Sequence, residues 1–390
     1  MADPLEEISE GFARETRDLP ISLDLRAPGL EIDLRLETPR LGDWLRRYMA
    51  PCFTGGETGA ATRHTVSLVH SDALIAAAAR LVRGDATARK VRLSTARRGW
   101  RLDGAGGRAL IYEPREGTAC MIENGGAVLR AAHASRSRWP GKVLCDLVAE
   151  LLHRHLEGTG WCCHHAGAVE IDGRVLAVIG DGGSGKSSLI AGLMAAGARL
   201  IANERCFLRA DGEGIDSYAF AQMIFVGMGT ALQFPGLARH LPEPGELTGL
   251  QRRMSRSRLK RTPRADWPGL DDKLGLLPVE LAECLGAPPP LAGGRVAGIL
   301  MPDLDLDARD LSLRPLARAE TRALVSRNIL GRGRDRHHPF WLDLGQGLAE
   351  PAIDALSGLP AQAVRFTTGD GGLRGTADPL AEIAGAFGWG

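Results

Sequence analysis

The sequence predicts an α/β fold with a β-rich N-terminal domain, residues 1–140, followed by an α/β core domain, residues 141–390. Apolar and polar residues alternate along 21–25 and 30–36 around a Pro-Gly pair, which is typical of a β-hairpin with one buried face. Later, the continuous apolar run 175–179 leads into a glycine-rich segment and then a helical pattern, as a buried parallel strand followed by a helix would. A chain of 390 residues is long enough for two or three domains.

The composition predicts a soluble protein. Hydrophobic residues make up 44% and charged residues 24% of the chain, and the net charge of +1 gives no reason to expect nucleic acid as a partner. No apolar run approaches the roughly 18–20 residues that cross a membrane, so no membrane partner is expected. The seven cysteines form no C-x-x-C pair and the N-terminus has no signal peptide, which favours reduced thiols and a cytoplasmic location.

Short elements are predicted throughout the N-terminal domain. Residues 1–18 are polar and expected to be frayed, and helices are expected near 41–49 and 72–82. Strands are expected at 90–93, 109–112, 119–122 and 127–130. No chemical motif appears here, so we expect this domain to support the core domain or to present substrate to it.

In the core domain, Pro140 opens a predicted helix over 141–156, whose apolar residues recur on one face. After the strand 175–179 we expect an amphipathic helix over 187–196, ended by Gly197. The remaining predictions are strands at 199–202, 296–301 and 363–367 and a terminal helix over 378–387.

The glycine-rich segment GDGGSGKS, residues 180–187, fits the pattern G-x-x-x-x-G-K-[ST], the Walker A motif or P-loop. Its strand–loop–helix context favours a phosphate-binding loop over a glycine-rich turn that matches by chance. Lys186 is then expected to reach the β- and γ-phosphates of ATP, and the Ser187 hydroxyl to bind Mg²⁺. The residues predicted to bind the nucleotide are Gly180, Asp181, Gly182, Gly183, Ser184, Gly185, Lys186, Ser187 and Ser188. A GTPase would also carry a guanine-reading N-K-x-D segment, which the sequence lacks.

Residues 165–209 resemble the catalytic core of HPr kinase/phosphorylase and of HPr kinase-related proteins. In that family a histidine precedes the P-loop by about fifteen residues, and a strand ending in two acids follows the next helix. Here His165 stands fifteen residues before Gly180, and the following strand ends in Asn203-Glu204. The resemblance covers about 45 residues and extends more weakly to the N-terminal half and to 267–277. It implies an HPr kinase-like P-loop core that uses ATP and Mg²⁺, in a homo-oligomer, since the family forms hexamers.

The chain departs from the family at the acidic pair. In the family the first aspartate is the general base and acid, and the pair helps to hold the metal. Asn203 has no titrating group, so it is expected to orient the acceptor, while Glu204 is the better candidate for metal ligand or base. His165 is an alternative base because a histidine titrates near neutral pH. No segment matches the one that contacts HPr in the family, so HPr is not expected as the substrate.

Other constellations have competing interpretations. Trp161-Cys162-Cys163-His164-His165 looks like a metal cluster, but consecutive strand residues alternate faces, which favours buried thiols. Asp303, after the apolar strand 296–301, is an alternative magnesium ligand, although Pro302 is expected to prevent ordinary strand pairing there. Lys273 either contacts phosphate or is a surface lysine. The basic segment 251–264 and the arginines of 332–336 (Arg332, Arg334, Arg336) are candidates for an arginine finger.

The leading functional hypothesis is an ATP- and Mg²⁺-dependent kinase acting on a hydroxyl of a protein or peptide serine or threonine. Its predicted catalytic residues are Lys186, Glu204, Asn203 and His165, with Ser187 and Glu204 on the metal. Two alternatives stay open: a kinase of a small-molecule alcohol or amino acid, and a nucleotide-binding switch that hydrolyses ATP slowly and signals through a partner.

Overall fold

The computed structural model describes residues 4–53, 62–93, 97–137, 140–220, 222–241, 261–305, 307–308, 310–330, 352–367, 373 and 376–389. These residues form a mixed α/β structure of two compact units. The first unit contains residues 4–49 and 53–159, and the second contains 50–52, 160–330 and 352–389. The boundary at 159/160 lies one helix later than the predicted boundary at 140/141.

The first unit is built on one eight-stranded sheet. Its strands are β1 (Ile21–Ala27), β2 (Leu30–Leu36), β3 (Thr62–His70), β4 (Arg89–Arg92), β5 (Arg98–Asp103), β6 (Ala109–Glu113), β7 (Thr118–Glu123) and β8 (Val128–His133). They are ordered β1-β2-β3-β8-β7-β6-β5-β4, with β3 parallel to both β2 and β8 and the other pairs antiparallel.

The predicted N-terminal hairpin is present as β1 and β2. Ala27 is paired with Leu30, so the turn between them consists of Pro28 and Gly29 alone. Gly29 has φ of +72°, which side-chain-bearing residues rarely adopt, and proline before it pre-sets the turn. The Pro-Gly pair thereby fixes the register that turns the alternate leucines and isoleucines of both strands inward.

Helices cover both faces of this sheet: α1 (Pro4–Glu15), α2 (Pro39–Met49), α3 (Asp72–Gly84) and α4 (Gly141–Gly158). Helices α1 and α3 share one apolar core with β6, β7 and β8, while α2 and α4 contact β1, β2 and β3. The prediction that residues 1–18 are frayed is wrong for residues 4–15, which form α1, and its first three residues lie outside the described residues. Leu5, Ile8 and Phe12 recur with helical spacing and are buried, so the polar composition conceals one apolar stripe.

The second unit contains a nine-stranded sheet and a two-stranded ribbon. Its strands are β9 (Cys162–His164), β10 (Ala166–Ile171), β11 (Arg174–Ile179), β12 (Arg199–Ala202), β13 (Cys206–Ala210), β14 (Ile215–Ala219), β15 (Ile224–Gly227), β16 (Lys273–Leu276), β17 (Gly293–Leu304), β18 (Ser312–Pro315) and β19 (Ala361–Phe366). The main order is β12-β10-β11-β17-β14-β13-β9, with β19 between β17 and β18. Strands β15 and β16 form the ribbon.

Strand β17 joins the parts of the large sheet. It is parallel to β11 and β19 and, at its start, antiparallel to β14. The expectation that Pro302 prevents pairing is wrong, because Pro302 is paired with Val364 of β19. Ile299 N–H donates towards the β19 side, to Pro360 O, so Pro302, three residues on, directs its nitrogen to the opposite side. There the pairing with β11 has already ended at Leu300, and no ladder hydrogen bond is lost.

Seven helices complete the described part of this unit: α5 (Lys186–Ala195), α6 (Met228–Gln233), α7 (Pro235–Ala238), α8 (Pro278–Leu285), α9 (Arg318–Arg327), α10 (Ile353–Leu356) and α11 (Pro379–Ala386). Helix α5 follows the glycine-rich segment as predicted, and Gly197, with φ of +113°, lies just beyond its end. It is buried on nearly every side rather than amphipathic, because the apolar core of the unit surrounds it. Among the described residues, no helix has the length and apolarity needed to cross a membrane.

Candidate functional site

Three chain segments meet at one edge of the nine-stranded sheet. Ala166 of β10 is paired with Ile179 of β11, so His165, just before β10, lies beside Gly180, just after β11. Ala168 of β10 is paired with Ala202 of β12, which brings the Asn203-Glu204 bend to the same edge. Because β10 is antiparallel to both neighbours, its beginning and their ends coincide. The predicted loop, acidic bend and histidine are therefore neighbours in space.

Gly167 permits the close packing that supports this edge. A Cβ at this position would lie 2.2 Å from Ile190 Cδ1 of α5 and 3.0 Å from the carbonyl oxygen of Ala202. Helix α5 and strand β12 thus approach the backbone of β10 more closely than any side chain would allow. The close packing at Gly167 therefore fixes the position of α5 relative to β10 and β12.

Replacing Gly167 with alanine is expected to destabilise the protein by about 1–3 kcal/mol, because the added methyl group overpacks the contact. The free energy of unfolding, measured by urea denaturation, checks this. Gly227→Ala is the matched control, since a Cβ there meets nothing within 4 Å. A Gly167→Ala protein as stable as the Gly227→Ala protein would show that the contact relaxes freely.

Residues 180–187, here called the glycine loop, connect β11 to α5. Gly183 and Gly185 have φ of +85° and +93°, the left-handed region that glycine tolerates. A Cβ on Gly185 would lie 2.7 Å from Leu304 Cβ, and Leu304 N–H donates to Ser184 O at 3.1 Å. The end of β17 therefore supports the loop from one side and restricts its conformation.

The amine of Lys186 folds back over the glycine loop. It donates to Gly180 O at 2.6 Å and to Asp181 O at 3.0 Å, and the residue is only 8% exposed. Burial lowers the pKa of Lys186 to about 8, a shift opposed by the negative charges of Asp181 and Glu204. An anion held by the loop would replace the carbonyl contacts and compensate the buried positive charge.

The lowered pKa of Lys186 predicts how stability depends on pH. Between about pH 8 and the usual lysine pKa of 10.5, the unfolded chain holds a proton that the folded protein has lost. The free energy of unfolding of the wild type should therefore rise, relative to that of Lys186→Met, as the pH rises through this window. Below pH 8 the difference between the two proteins should be constant. Denaturant titrations at pH 7, 8, 9 and 10 test this, and a constant difference throughout would contradict it.

Asn203, in the bend that follows β12, is hydrogen-bonded to the start of α5. Its amide nitrogen donates to Ser187 Oγ at 3.2 Å. Its Oδ1 atom is buried and has no hydrogen-bond partner in the part of the chain that the structure describes, and the whole residue is 5% exposed. Glu204 is half-buried, and its charge raises the pKa of Lys186. A buried acceptor without a partner is costly, so this position suits a donor supplied by a ligand.

The structure also adds residues that sequence reasoning missed. Thr230 of α6 contacts Ser188, with 2.6 Å between the two hydroxyl oxygens, so the Ser188 side chain is engaged there. Arg327, the last residue of α9, donates from Nε to Asp181 Oδ1 at 3.0 Å. Lys273, already a candidate from the sequence, is exposed at the start of β16, and its charge lowers the pKa of Lys186, so it lies within electrostatic range of the loop. Thr230 and Arg327 belong to no motif, and sequence offered no signal for either.

The cysteine–histidine segment before the loop is buried. His164 lies in β9, and neither ring nitrogen is hydrogen-bonded to a described residue; burial lowers its pKa to about 4, which leaves it neutral near pH 7. Its Cα partner in β13 is Cys206, whose pKa burial raises to about 12. His165 is half-buried, and its backbone N–H donates to Asn328 O at 2.7 Å. Among the described residues, no group of three or more metal-ligating side chains is gathered.

The remaining candidates lie elsewhere or outside the described residues. Asp303 accepts from Arg365 Nε at 3.0 Å, so its carboxylate is engaged with β19. Most of the basic segment 251–264, and all of Arg332, Arg334 and Arg336, lie outside the described residues. A cavity of about 380 Å³ adjoins the C-terminal half of α5, lined by Gly192, Ala196 and Phe234 among others, away from the glycine loop.

The oxygen-rich side chains at the sheet edge fit a hard divalent cation beside a phosphate chain. Such a cation takes oxygen ligands and commonly uses one or two protein side chains, with phosphate oxygens supplying the rest. The Ser187 hydroxyl and the Glu204 carboxylate are of this kind, and the orphaned Asn203 Oδ1 is a further oxygen beside them.

No protein-family model matches the chain, and no curated protein matches it significantly. What the site does is therefore inferred from the chemistry and arrangement of its own side chains.

Proposed function

We propose that this chain is an ATP- and Mg²⁺-dependent kinase that transfers the γ-phosphoryl group to a hydroxyl, on a serine or threonine of a protein or peptide. The observation that carries the proposal is the meeting of four groups at one sheet edge. The Lys186 amine, the Ser187 hydroxyl, the Asn203 amide and the Glu204 carboxylate adjoin a glycine loop that the end of β17 supports. The spacing that resembles HPr kinase and its relatives supports the same function and adds a homo-oligomer to the proposal, while the cysteine pattern adds a cytoplasmic location.

Each side chain has a role that its surroundings suit. The loop N–H groups and the Lys186 ammonium bind the phosphates, and the amine leaves the carbonyls of Gly180 and Asp181 to do so. Ser187 and Glu204 hold Mg²⁺, which neutralises charge on the phosphate oxygens when bound. Phosphoryl transfer passes through a loose transition state, so positioning and charge matter more than a strong base.

Asn203 orients the acceptor rather than deprotonating it. An amide does not titrate, but its buried Oδ1 is an acceptor that lacks a donor and suits the hydroxyl of a substrate. The proton leaves to Glu204 or to His165, whose backbone lies beside Gly180 across the β10–β11 pair. Both groups are half-buried at the same sheet edge.

A second function, a nucleotide-dependent switch that hydrolyses ATP slowly, is favoured by one contact. The Asn203 amide is already bound to Ser187 Oγ, at the position where a kinase of the resembled family has a titrating aspartate. A site lacking that base still binds nucleotide through the loop, and loses mainly the activation of an acceptor.

Incubation of the purified protein with γ-labelled ATP, Mg²⁺ and a cell lysate tests the proposal. Label in a protein band is the expected result, whereas label in a small molecule identifies a small-molecule kinase, and label only in free phosphate favours the switch. The folded Lys186→Ala protein is the negative control. Equal consumption of ATP by this variant and the wild type would overturn all three functions.

A further inference from the structure

Arg327 is held in a defined place beside the glycine loop. After α9 ends at Arg327, residues 328–330 pair antiparallel with β9. His165 N–H donates to Asn328 O at 2.7 Å, and Leu330 N–H donates to Cys163 O at 2.8 Å. Asn328 is itself buried, and its side chain donates to Leu324 O at 2.9 Å. The backbone of Arg327 is thus tied to the strand that leads into His165.

The side chain of Arg327 extends from this anchor to the second residue of the glycine loop. Its Nε atom donates to Asp181 Oδ1 at 3.0 Å, while the backbone oxygen of the same Asp181 accepts from the Lys186 amine. The side chains of Arg327 and Asp181 are 49% and 62% exposed. An ion pair so exposed contributes little stability, so it can be exchanged for another partner at small cost.

A triphosphate in the glycine loop would change the balance at this pair. It brings several negative charges next to the Asp181 carboxylate, which repels them, and next to the Arg327 guanidinium, which attracts them. A guanidinium offers two parallel N–H donors that match phosphate oxygens better than a single lysine amine does. In other enzymes that transfer phosphoryl groups, an arginine supplied within the same chain stabilises the charge of the transition state.

Resting on the proposed kinase function, we propose that Arg327 leaves Asp181 when ATP binds and becomes a second cation on the γ-phosphoryl group, supplied by the chain itself. Before ATP binds, the Asp181 carboxylate takes the place of the phosphate anion and keeps Arg327 in position. The exchange breaks one ion pair and forms another, with no covalent step. The arginine for phosphoryl transfer then comes from the described residues of the same chain, and no arginine from a second subunit is needed.

The alternative is that the ion pair only stabilises the conformation of the loop. The two interpretations predict opposite signs for the coupling between Arg327 and Asp181 in ATP affinity. If Arg327 moves to ATP, Arg327→Ala should weaken the binding of ATP·Mg²⁺ by about ten- to a hundredfold and that of ADP·Mg²⁺ less. Asp181→Asn should strengthen ATP binding by about two- to fivefold in the wild type, because it removes a competitor for Arg327, and by less in Arg327→Ala, where only the repulsion between Asp181 and the phosphates is removed. If the pair only stabilises the loop, Asp181→Asn should strengthen ATP binding less in the wild type than in Arg327→Ala, because in the wild type it also loosens the loop.

Titration calorimetry of the full chain with ATP·Mg²⁺ and with ADP·Mg²⁺ decides between them. Arg322→Ala is the matched control, because Arg322 lies on the same helix and pairs instead with Asp354. Arg327→Lys keeps the charge without the paired donors and should fall between the wild type and Arg327→Ala. If Asp181→Asn strengthens ATP binding no more in the wild type than in Arg327→Ala, the inference is overturned while the kinase proposal stands. A folded wild type that binds neither nucleotide would overturn both.

Discussion

Lys186→Ala is expected to lower the transfer or release of the γ-phosphoryl group of ATP by about a thousandfold. The Lys186 amine lies over the first two residues of the glycine loop, 2.6 and 3.0 Å from their carbonyl oxygens, where it can reach phosphates that the loop binds. Charge on the phosphoryl oxygens must be neutralised by groups close at hand, and the Lys186 amine has only to exchange its two carbonyl partners for phosphate oxygens.

The test of Lys186 is the rate of loss of γ-label from ATP at saturating ATP·Mg²⁺. Lys142→Ala is the control, because Lys142 is a partly exposed lysine of the first unit, paired with Asp146, and should leave the rate unchanged. Circular dichroism and thermal unfolding should show that both variants fold. A folded Lys186→Ala protein with the wild-type rate would remove the glycine loop from the reaction.

Glu204→Gln is expected to cost a similar factor, about a thousandfold in single-turnover transfer, whereas changes at Asn203 should cost less. Glutamine keeps the shape of Glu204 but removes the charge that acts on Lys186 and that suits Mg²⁺. Asn203→Ala loses the bond to Ser187 and should be slowed moderately. Asn203→Asp restores a titrating group at this position and should keep activity.

The control for these substitutions is Glu213→Gln, an exposed glutamate in the turn between β13 and β14, which should behave as the wild type. The asymmetry between neighbouring positions is the informative result. If Glu204→Gln keeps a near-normal rate and Asn203→Asp is inactive, the roles are wrongly assigned, and His165 becomes the leading candidate for the base.

The sequence predicted the parts of this site that lie close together along the chain. Residues 165–204 contain a hairpin, a loop, a helix and a strand whose order is local, so their periodicity and glycines were enough to anticipate the elements. Contacts that depend on the tertiary fold were not accessible. Thr230 and Arg327 lie 42 and 146 residues from their partners Ser188 and Asp181, and no local pattern connects them.

Two local predictions failed because one rule was applied without its context. The first helix was overlooked because the polar residues around Leu5 and Phe12 outnumber them, although the spacing is helical and both side chains are fully buried. Strand β17 continues through Pro302 because a proline disrupts pairing only with the neighbour that its nitrogen faces. That neighbour is β11, whose pairing with β17 ends before Pro302. Both outcomes depend on what packs alongside, which the sequence does not state.

The central claim is that the glycine loop and the bend at Asn203-Glu204 form one ATP·Mg²⁺ site. Equilibrium titration of the full-length wild type and of Lys186→Ala with ATP, with and without Mg²⁺, tests it most directly. We expect saturable binding of one ATP per chain, strengthened by Mg²⁺ in the wild type and weakened at least tenfold by the loss of the Lys186 charge. If the folded wild type binds no ATP, or if Lys186→Ala binds it as tightly, the glycine loop and this bend do not form an ATP·Mg²⁺ site.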